Sequence, residues 1–121
     1  MKKVSLKNYN SFSVEAKAKN LIHISNEREI INFIEKNKKK ELLILGGGTN
    51  ILFTSDIDYP ILKIEIKGIE IINEDNNEVL VSVGAGESWD ELVWWCIENN
   101  FGGIENLVSI PGNVGSAPIQ N

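Results

Sequence analysis

A run of three glycines at residues 46–48 is the first segment whose residue types suggest chemistry. It directly follows the apolar residues 42–45 and precedes Thr49 and Asn50. Glycines in that place let backbone N–H groups turn toward an anion with no side chain in the way. The hydroxyl and amide that follow can donate to phosphate oxygens. The segment predicts a phosphate cradle, although a tight turn after a buried strand explains the glycines equally well.

The glycine run matches neither of two common nucleotide motifs. No Gly-Lys-Ser/Thr follows it as in a P-loop, and the sixth position of a G-x-G-x-x-G fingerprint is filled by Ile51. A second glycine segment, Gly84-Ala85-Gly86, fails the same fingerprint at Trp89. Because a capping box begins at Ser88, we interpret this second segment as a strand-to-helix turn.

A third segment, residues 110–121, is rich in proline, glycine and small side chains. The Pro-Gly pair at 111–112 suits the centre of a type II turn. The minimal side chains at 115–117 permit close approach of a flat ligand or of another backbone. Gln120 and Asn121 carry amides that donate and accept at once, as the edge of a flavin ring requires. A small-residue loop with a purely structural role is the alternative.

The remaining reactive side chains have simpler explanations. His23 lies in a predicted strand with no second metal-type residue beside it, so we expect a structural ring and predict no metal site. Cys96 lies on the apolar stripe of a predicted helix and is expected in the core. Trp94 and Trp95 cannot both face the same core as Trp89, so we expect one of them to be exposed or to pack against another domain.

Two short strands and a helix are predicted to carry the glycine run. Residues 21–24 and 42–45 are apolar runs suited to buried strands. Between them, Asn26 and Glu29 form a capping box that begins a helix ending near Asn37. Strand, helix and strand at this spacing predict a small parallel βαβ unit.

Antiparallel structure is predicted after this unit. From Leu62 the sequence alternates apolar and charged residues, and after Gly68 the alternation slips by one. We expect a half-buried antiparallel strand with a bulge or bend at the glycine. A hairpin loop at 73–78 and a return strand at 79–83 should follow. A second helix then begins at the capping box and ends near Asn100 in a left-handed cap.

Composition excludes several classes of protein. With 121 residues there is room for one domain or two small subdomains. We expect neither a membrane span, which needs roughly 18 consecutive apolar residues, nor a secretion signal. The net charge of −5 argues against a nucleic-acid partner, and the lysines at 36 and 38–40 complement the end of a predicted helix. A single cysteine cannot form an internal disulfide, which fits the cytoplasm.

Taken together, these segments resemble the UDP-N-acetylenolpyruvoylglucosamine reductase (MurB) family of peptidoglycan precursor synthesis. The resemblance starts at Asn10-Ser11-Phe12 and runs through the glycine run to Phe53. It continues through residues 84–86, the Trp89 helix and residues 103–107. Residues 110–121 are its most specific part, and it covers nearly the whole chain from about residue 9.

The resemblance implies an α+β fold of the vanillyl-alcohol-oxidase type, also described as PCMH-type. A small parallel βαβ subdomain, residues 1–65, would precede the start of an antiparallel α+β subdomain, residues 66–121, left incomplete. The two would clamp an extended FAD, with its pyrophosphate at 46–52 and its flavin at 110–120. The cofactor-binding residues expected on this basis are Gly46, Gly47, Gly48, Thr49, Asn50, Ile51, Leu52, Ile110, Pro111, Gly112, Gly115, Ser116, Ala117, Ile119 and Gln120.

The resemblance also implies an oxidoreductase with two half-reactions. NADPH would reduce the flavin, which would pass the hydride to the enolpyruvyl group of UDP-N-acetylglucosamine enolpyruvate. Later stretches of the family supply an arginine, a glutamate and a proton-donating serine, and none has a matching position in this sequence. Arg28 and Ser116 are not assigned those roles. We therefore expect a truncated FAD-binding portion that contains no catalytic residue and is inactive by itself.

Two other functions fit the same residues. A flavin oxidase of the same superfamily keeps the fold, but many of those enzymes anchor the flavin through a histidine near the glycine loop. The sole histidine of this sequence is His23, in an early strand. A non-catalytic or decayed module that binds flavin or nucleotide is the other possibility, and the missing family stretches favour it. Nothing in the sequence predicts the oligomeric state.

Overall fold

The computed structural model of the protein describes residues 3–38 and 40–120. Two residues named above, Lys39 in the basic run and Asn121 in the third segment, lie outside this range. The strands of the described chain are β1 (Val4–Ser5), β2 (Lys17–Ala18), β3 (Leu21–Ile24), β4 (Leu43–Leu45), β5 (Ile61–Ile64), β6 (Ile69–Glu74) and β7 (Val79–Val83). The α-helices are α1 (Glu27–Lys36), α2 (Trp89–Glu98) and the single turn α3 (Ala117–Gln120), and 3-10 turns span Lys7–Tyr9 and Glu105–Leu107.

The strands form one parallel sheet and two small antiparallel pairs. β3, β5 and β4 lie side by side in that order and run parallel, while β1 pairs with β2 and β6 with β7 in antiparallel fashion. Helix α1 connects β3 to β4, so the prediction of a parallel βαβ unit is confirmed. Its two strands are not neighbours, however, because β5 returns to fill the place between them.

Both faces of the parallel sheet are covered. On one face Leu45 and Ile61 pack with Leu6 and other residues of the N-terminal segment. On the opposite face Ile24 and Leu62 pack against partly buried residues of α1. Burial on both faces is usual for parallel strands, and it makes β5 the centre of the fold.

The prediction of one antiparallel strand running from Leu62 past Gly68 is wrong. Ile61–Ile64 is the central strand of the parallel sheet, whereas Ile69–Glu74 belongs to a separate hairpin. A buried parallel strand is normally apolar throughout. Lys63 interrupts the apolar run of β5 and gives it the alternating pattern of a half-buried strand, which caused the error.

The hairpin differs from its prediction in two details. β6 extends to Glu74, so the turn is made by residues 75–78 alone. There the carboxylate of Asp75 accepts hydrogen bonds from the amides of Asn77 and Glu78, at 2.7 and 2.9 Å. The register shift of the ladder lies at Ile72, so the bulge of the hairpin is not at Gly68. Of the bulge or bend expected at Gly68, the bend is present, with a φ of 121° between the two sheets.

Both predicted helix starts are confirmed. The side chain of Asn26 accepts a hydrogen bond from the amide of Glu29 at 3.1 Å. The hydroxyl of Ser88 accepts one from the amide of Glu91 at 3.3 Å. Asn100, just beyond α2, has the expected left-handed conformation with a φ of 59°. No helix in the described ranges is long and apolar enough to cross a membrane.

The side chains given structural explanations behave as expected. Cys96 is buried, and burial raises the pKa of its thiol. Half of Trp94 is exposed, whereas Trp95 packs on Phe101 with their ring centroids 5.7 Å apart. His23 lies in β3, where its Nδ1 is 3.0 Å from Oε1 of Glu65.

Candidate functional site

A cavity of about 330 Å³ opens at the carboxyl end of the parallel sheet. Open α/β sheets bind their ligands beyond this end of the strands. The glycine loop, defined as residues 46–51, leaves β4 there, and the second and third glycine segments face it from the other side. The residues lining the cavity are Ile44, Leu45, Gly46, Gly47, Gly48, Thr49, Asn50, Ile51, Ile64, Ala85, Asn113, Gly115, Ser116 and Gln120.

The backbone amides of the glycine loop are available to a ligand. Within residues 3–38 and 40–120, none of the amides from Gly46 to Asn50 donates a hydrogen bond to the protein. The loop is held through its carbonyl groups instead. Gly48 O accepts from the amide of Ser11 at 2.9 Å, and Gly46 O accepts from Nζ of Lys63. Successive amides without protein acceptors beside a cavity form an anion-binding surface.

The three glycines of the loop are required for different reasons. Gly48 has a φ of 71°, and a Cβ there would lie 2.0 Å from the carbonyl oxygen of Tyr9, so only glycine fits. A Cβ on Gly47 would lie 3.2 Å from Oδ1 of Asn113, within the seam between the loop and the third segment. Gly46 has more room, since its nearest neighbour would be 4.0 Å away. Gly48 therefore sets the shape of the loop, and Gly47 keeps its approach clear.

The second glycine segment has the structural role predicted for it. A Cβ on Gly84 would lie 2.4 Å from the carbonyl oxygen of Ile66, and one on Gly86 would lie 2.7 Å from the backbone of Glu65. Both glycines let the strand-to-helix turn lie against the chain that leaves β5. Between them, Ala85 lines the cavity. The turn thus forms one wall of the site while being fixed by its own packing.

The third segment is held in place by the start of α2. The amide of Trp89 donates to the carbonyl of Gly112 at 3.0 Å, and the amide of Val114 donates to the carbonyl of Glu87 at 2.9 Å. The indole Nε1 of Trp89 also donates to the carbonyl of Leu107 at 3.0 Å. These contacts place the segment opposite the glycine loop. The seam between the two is the cavity.

Most residues expected to bind a cofactor meet at this cavity. The glycine loop supplies Gly46, Gly47, Gly48, Thr49, Asn50 and Ile51, and the third segment supplies Gly115, Ser116 and Gln120. They come from parts of the chain about 70 residues apart in the sequence numbering. The fold therefore brings together the two segments that the sequence singled out.

The other expected residues do not line the cavity. Gly112 lies at its edge, where a Cβ would be 3.2 Å from Oγ1 of Thr49. Ala117 is buried, while Leu52 and Ile119 are 60% and 88% exposed. Their binding roles, and those of Ile110 and Pro111, stay predictions.

Five lining residues were absent from the expected set, namely Ile44, Leu45, Ile64, Ala85 and Asn113. Leu45 and Ile64 are the last residues of two parallel strands, and Ile44 precedes Leu45. Their shared position follows from the pairing of β4 with β5, which no local pattern reveals. Asn113 lies within the third segment, and its polar side chain between two glycine-containing turns was the available signal.

The cavity has polar side chains among its apolar lining, but none of them is ionisable. Its polar side chains are two hydroxyls, Thr49 and Ser116, and three amides, Asn50, Asn113 and Gln120. Lys63 is a cation that donates a hydrogen bond to the loop. Burial lowers the pKa of its ammonium group; the charge of Glu65 acts to raise this pKa, and that of Lys67 lowers it further. No metal-holding group of His, Cys, Asp or Glu occurs in the described part of the chain. The site can bind an anion with neutral donors, but it holds no general acid or base.

The chain is similar to known proteins in family, sequence and structure. Residues 18–121 match the family described as FAD binding domain. The sequence is 51% identical over 117 residues to the UDP-N-acetylenolpyruvoylglucosamine reductase of Flavobacterium johnsoniae, covering 97% of this chain and 35% of that protein. It is 42% identical over 120 residues to the protein of that name from Amoebophilus asiaticus, covering 98% and 35%.

A solved structure has the same fold. The crystal structure of UDP-N-acetylenolpyruvylglucosamine reductase (MurB) from Thermus caldophilus superposes with a TM-score of 0.69 at 25% identity, covering 96% of this chain and 40% of that one. The predicted α+β, PCMH-type fold is confirmed, as is the resemblance on which it was based. The chain spans about a third of the length of the curated relatives that it matches.

Proposed function

The chain belongs to the FAD binding domain family and matches the UDP-N-acetylenolpyruvoylglucosamine reductases within it, and from that premise we propose that its cavity holds the diphosphate of FAD for such a reductase. One observation carries the proposal. Five successive amides, from Gly46 to Asn50, have no acceptor in the described chain and adjoin the cavity. A diphosphate supplies several acceptor oxygens to such a backbone run.

The residues present fit FAD at the diphosphate position. Gly47 leaves the approach to the amides free of side chains, and the hydroxyl of Thr49 adds a donor beside them. Carboxylates are absent from the lining, so nothing in the described cavity repels an anion. Glycine loops after strands serve this purpose in several nucleotide-binding folds.

The third segment is proposed to take the rest of the cofactor. Gly115 cannot carry a side chain, because its Cβ would lie 2.8 Å from Cβ of Ala85. It therefore presents bare backbone to the cavity, with Ser116 and Gln120 beside it. A flat ring can approach such a surface closely, and the amide of Gln120 can donate or accept at the ring edge.

The chemistry of the whole protein is also a proposal. When bound, FAD supplies hydride transfer, and we propose NADPH as the hydride source and UDP-N-acetylglucosamine enolpyruvate as the acceptor, in peptidoglycan synthesis in the cytoplasm. No nucleic acid or membrane is needed as a partner. The arginine, glutamate and proton-donating serine that the resemblance implies have no matching position in this sequence, so the catalytic residues are proposed to lie outside these 121 residues. We keep the division into subdomains 1–65 and 66–121 as part of the proposal.

Flavin titration tests the cofactor assignment. Apo protein titrated with FAD should quench flavin fluorescence with saturation, and ADP should compete because it carries the same diphosphate. Riboflavin, which has no phosphate, should bind far more weakly. Failure of FAD to saturate, or equal affinity for riboflavin, would reject the diphosphate cradle.

A further inference from the structure

Lys63 stands behind the glycine loop and outside the cavity. It is the residue of β5 that is in register with His23 of β3 and Leu45 of β4. Its Nζ donates a hydrogen bond of 2.5 Å to the carbonyl oxygen of Gly46, the first residue of the loop. Lys63 does not line the cavity. The ammonium group therefore contacts the loop outside the lining of the cavity.

This hydrogen bond fixes the direction of one loop amide. The described chain contains no cis peptide bond, and in a planar trans peptide the C=O and the following N–H point in opposite directions. The peptide that joins Gly46 to Gly47 has its carbonyl on Lys63. Its N–H, on Gly47, accordingly points away from Lys63. It belongs to the amide run that adjoins the cavity and has no acceptor in the described chain.

The charge of Lys63 is not neutralised by an ion pair. No carboxylate of the described residues lies within salt-bridge distance of its Nζ. Glu65, the acidic residue that acts on Lys63, has its Oε1 3.0 Å from Nδ1 of His23 instead. A partly buried cation without a counter-ion makes the local potential positive. That potential acts on the loop, which carries no charge of its own.

We propose that Lys63 is a positioning residue for the diphosphate of the cofactor. It holds the peptide between Gly46 and Gly47 with the N–H toward the cavity, and it adds a positive charge behind a loop of neutral donors. The inference rests on the proposed function, because it needs an anion in the cavity. It adds a charged residue from the central strand of the parallel sheet to a site whose lining has no charged side chain.

Three variants of the full-length protein separate this role from a structural one. Lys63→Met removes the charge and the donor with little change in length, Lys63→Arg retains both, and Lys19→Met removes one charge from an exposed position elsewhere. Each is titrated with FAD at low and high salt, and the unfolding midpoint of each apo protein is measured. We expect Lys63→Met to weaken FAD binding about tenfold at low salt, the scale of a hydrogen bond from a charged donor.

The controls make the result decisive. Lys63→Arg should have most of the wild-type affinity for FAD, and Lys19→Met should stay within about twofold of it. The loss of FAD affinity in Lys63→Met should be smaller at high salt, because salt screens charge. Equal FAD affinity for wild type and Lys63→Met would overturn the inference and leave the cradle intact. A deficit that is independent of salt, is not rescued by arginine and follows a lower unfolding midpoint would make Lys63 structural only. Absence of FAD binding by wild type would instead reject the proposed function.

Discussion

The parallel sheet is buried on both faces, whereas the β6–β7 hairpin is exposed. In the sheet, Ile61 and Leu62 are fully buried, because the N-terminal segment covers one face and α1 the other. In the hairpin no residue of β6 or β7 is buried, and Ile72 and Leu80 are 55% and 60% exposed.

Because of this difference, the two halves of the site, the glycine loop and the third segment, are held in place to different degrees. The glycine loop is the direct continuation of a strand in the packed sheet and is held by Gly48 and Lys63 from that side. The third segment depends on backbone contacts to the start of α2, next to the open hairpin. We infer that the diphosphate half of the site is preorganised, whereas the half proposed for the flavin ring gains more order from the ligand.

The largest expected effect is that the 121 residues alone, which contain both halves of the site, have no reductase activity. Reduction of the enol ether needs a proton donor at the flavin, and the serine that the resemblance implies for this role has no matching position in these residues. The 121 residues alone, given NADPH and UDP-N-acetylglucosamine enolpyruvate without oxygen, should form no product detectable by mass spectrometry. The full-length Flavobacterium johnsoniae protein is the positive control. Product at a comparable rate would require an acid that this cavity does not show.

The second effect compares the cores of the two regions. Leu62→Ala removes a fully buried side chain from the centre of the parallel sheet, so it should lower the free energy of unfolding by about 2–5 kcal/mol. Leu80→Ala, the matched change on the hairpin, should cost less than about 0.5 kcal/mol because that side chain is mostly exposed. Urea unfolding of both variants measures the difference. Equal costs would mean that the hairpin is covered in solution.

The third effect concerns ligand binding by the preorganised half. Gly47→Val places a branched side chain where Oδ1 of Asn113 would be only 3.2 Å from its Cβ, so it blocks the seam. FAD affinity should fall by about 2–3 kcal/mol, or roughly a hundredfold. Gly102→Val changes a glycine away from the cavity and should bind FAD normally. If Gly47→Val also binds normally, the loop is a structural turn.

The smallest effect is electrostatic and lies in the packed half. Asp56 accepts hydrogen bonds from Nζ of Lys3 at 2.8 Å and from the amide of Lys17 at 2.9 Å. These hydrogen bonds, that from Lys3 foremost, hold the pKa of the Asp56 carboxyl below its ordinary value. A depressed folded-state pKa contributes stability above the unfolded pKa, and that contribution is lost as pH falls through the folded one.

Asp56→Asn tests this pH dependence. Wild type should lose slightly more stability than Asp56→Asn as the pH is lowered from about 5 to about 2. Asp75→Asn is the counterpart on the hairpin, where amides of the turn lower the pKa of the carboxyl. Thermal unfolding across that pH range compares the two. A wild-type profile parallel to that of Asp56→Asn would show that the Lys3 contact is not maintained in solution.

Local signals in the sequence predicted most elements of this fold. The capping residues Asn26 and Ser88 gave the two main helix starts, and Asn100 gave the left-handed cap after α2. These features depend on neighbours within four residues, so a single sequence contains them. The place of β5 was different. It depends on pairing with β3 and β4, and the lysine within it imitated a half-buried strand.

The candidate site was predicted by composition more than by geometry. Small residues in the glycine loop and third segment predicted a close approach of the backbone to a ligand, and both segments line one cavity. The contributions of Ile64, Ala85 and Lys63 arise from long-range packing, which no local spacing records. From its neighbours in the sequence, each of these residues is predicted to be an ordinary strand or turn residue.

A structure of the protein with FAD bound tests the central claim most directly. We predict diphosphate oxygens within about 2.7–3.2 Å of amide nitrogens in the run from Gly46 to Asn50, the normal range for an N–H···O hydrogen bond. Lys63 should remain on the carbonyl of Gly46 in that complex. A diphosphate bound elsewhere, with these amides facing solvent or protein, would contradict the account.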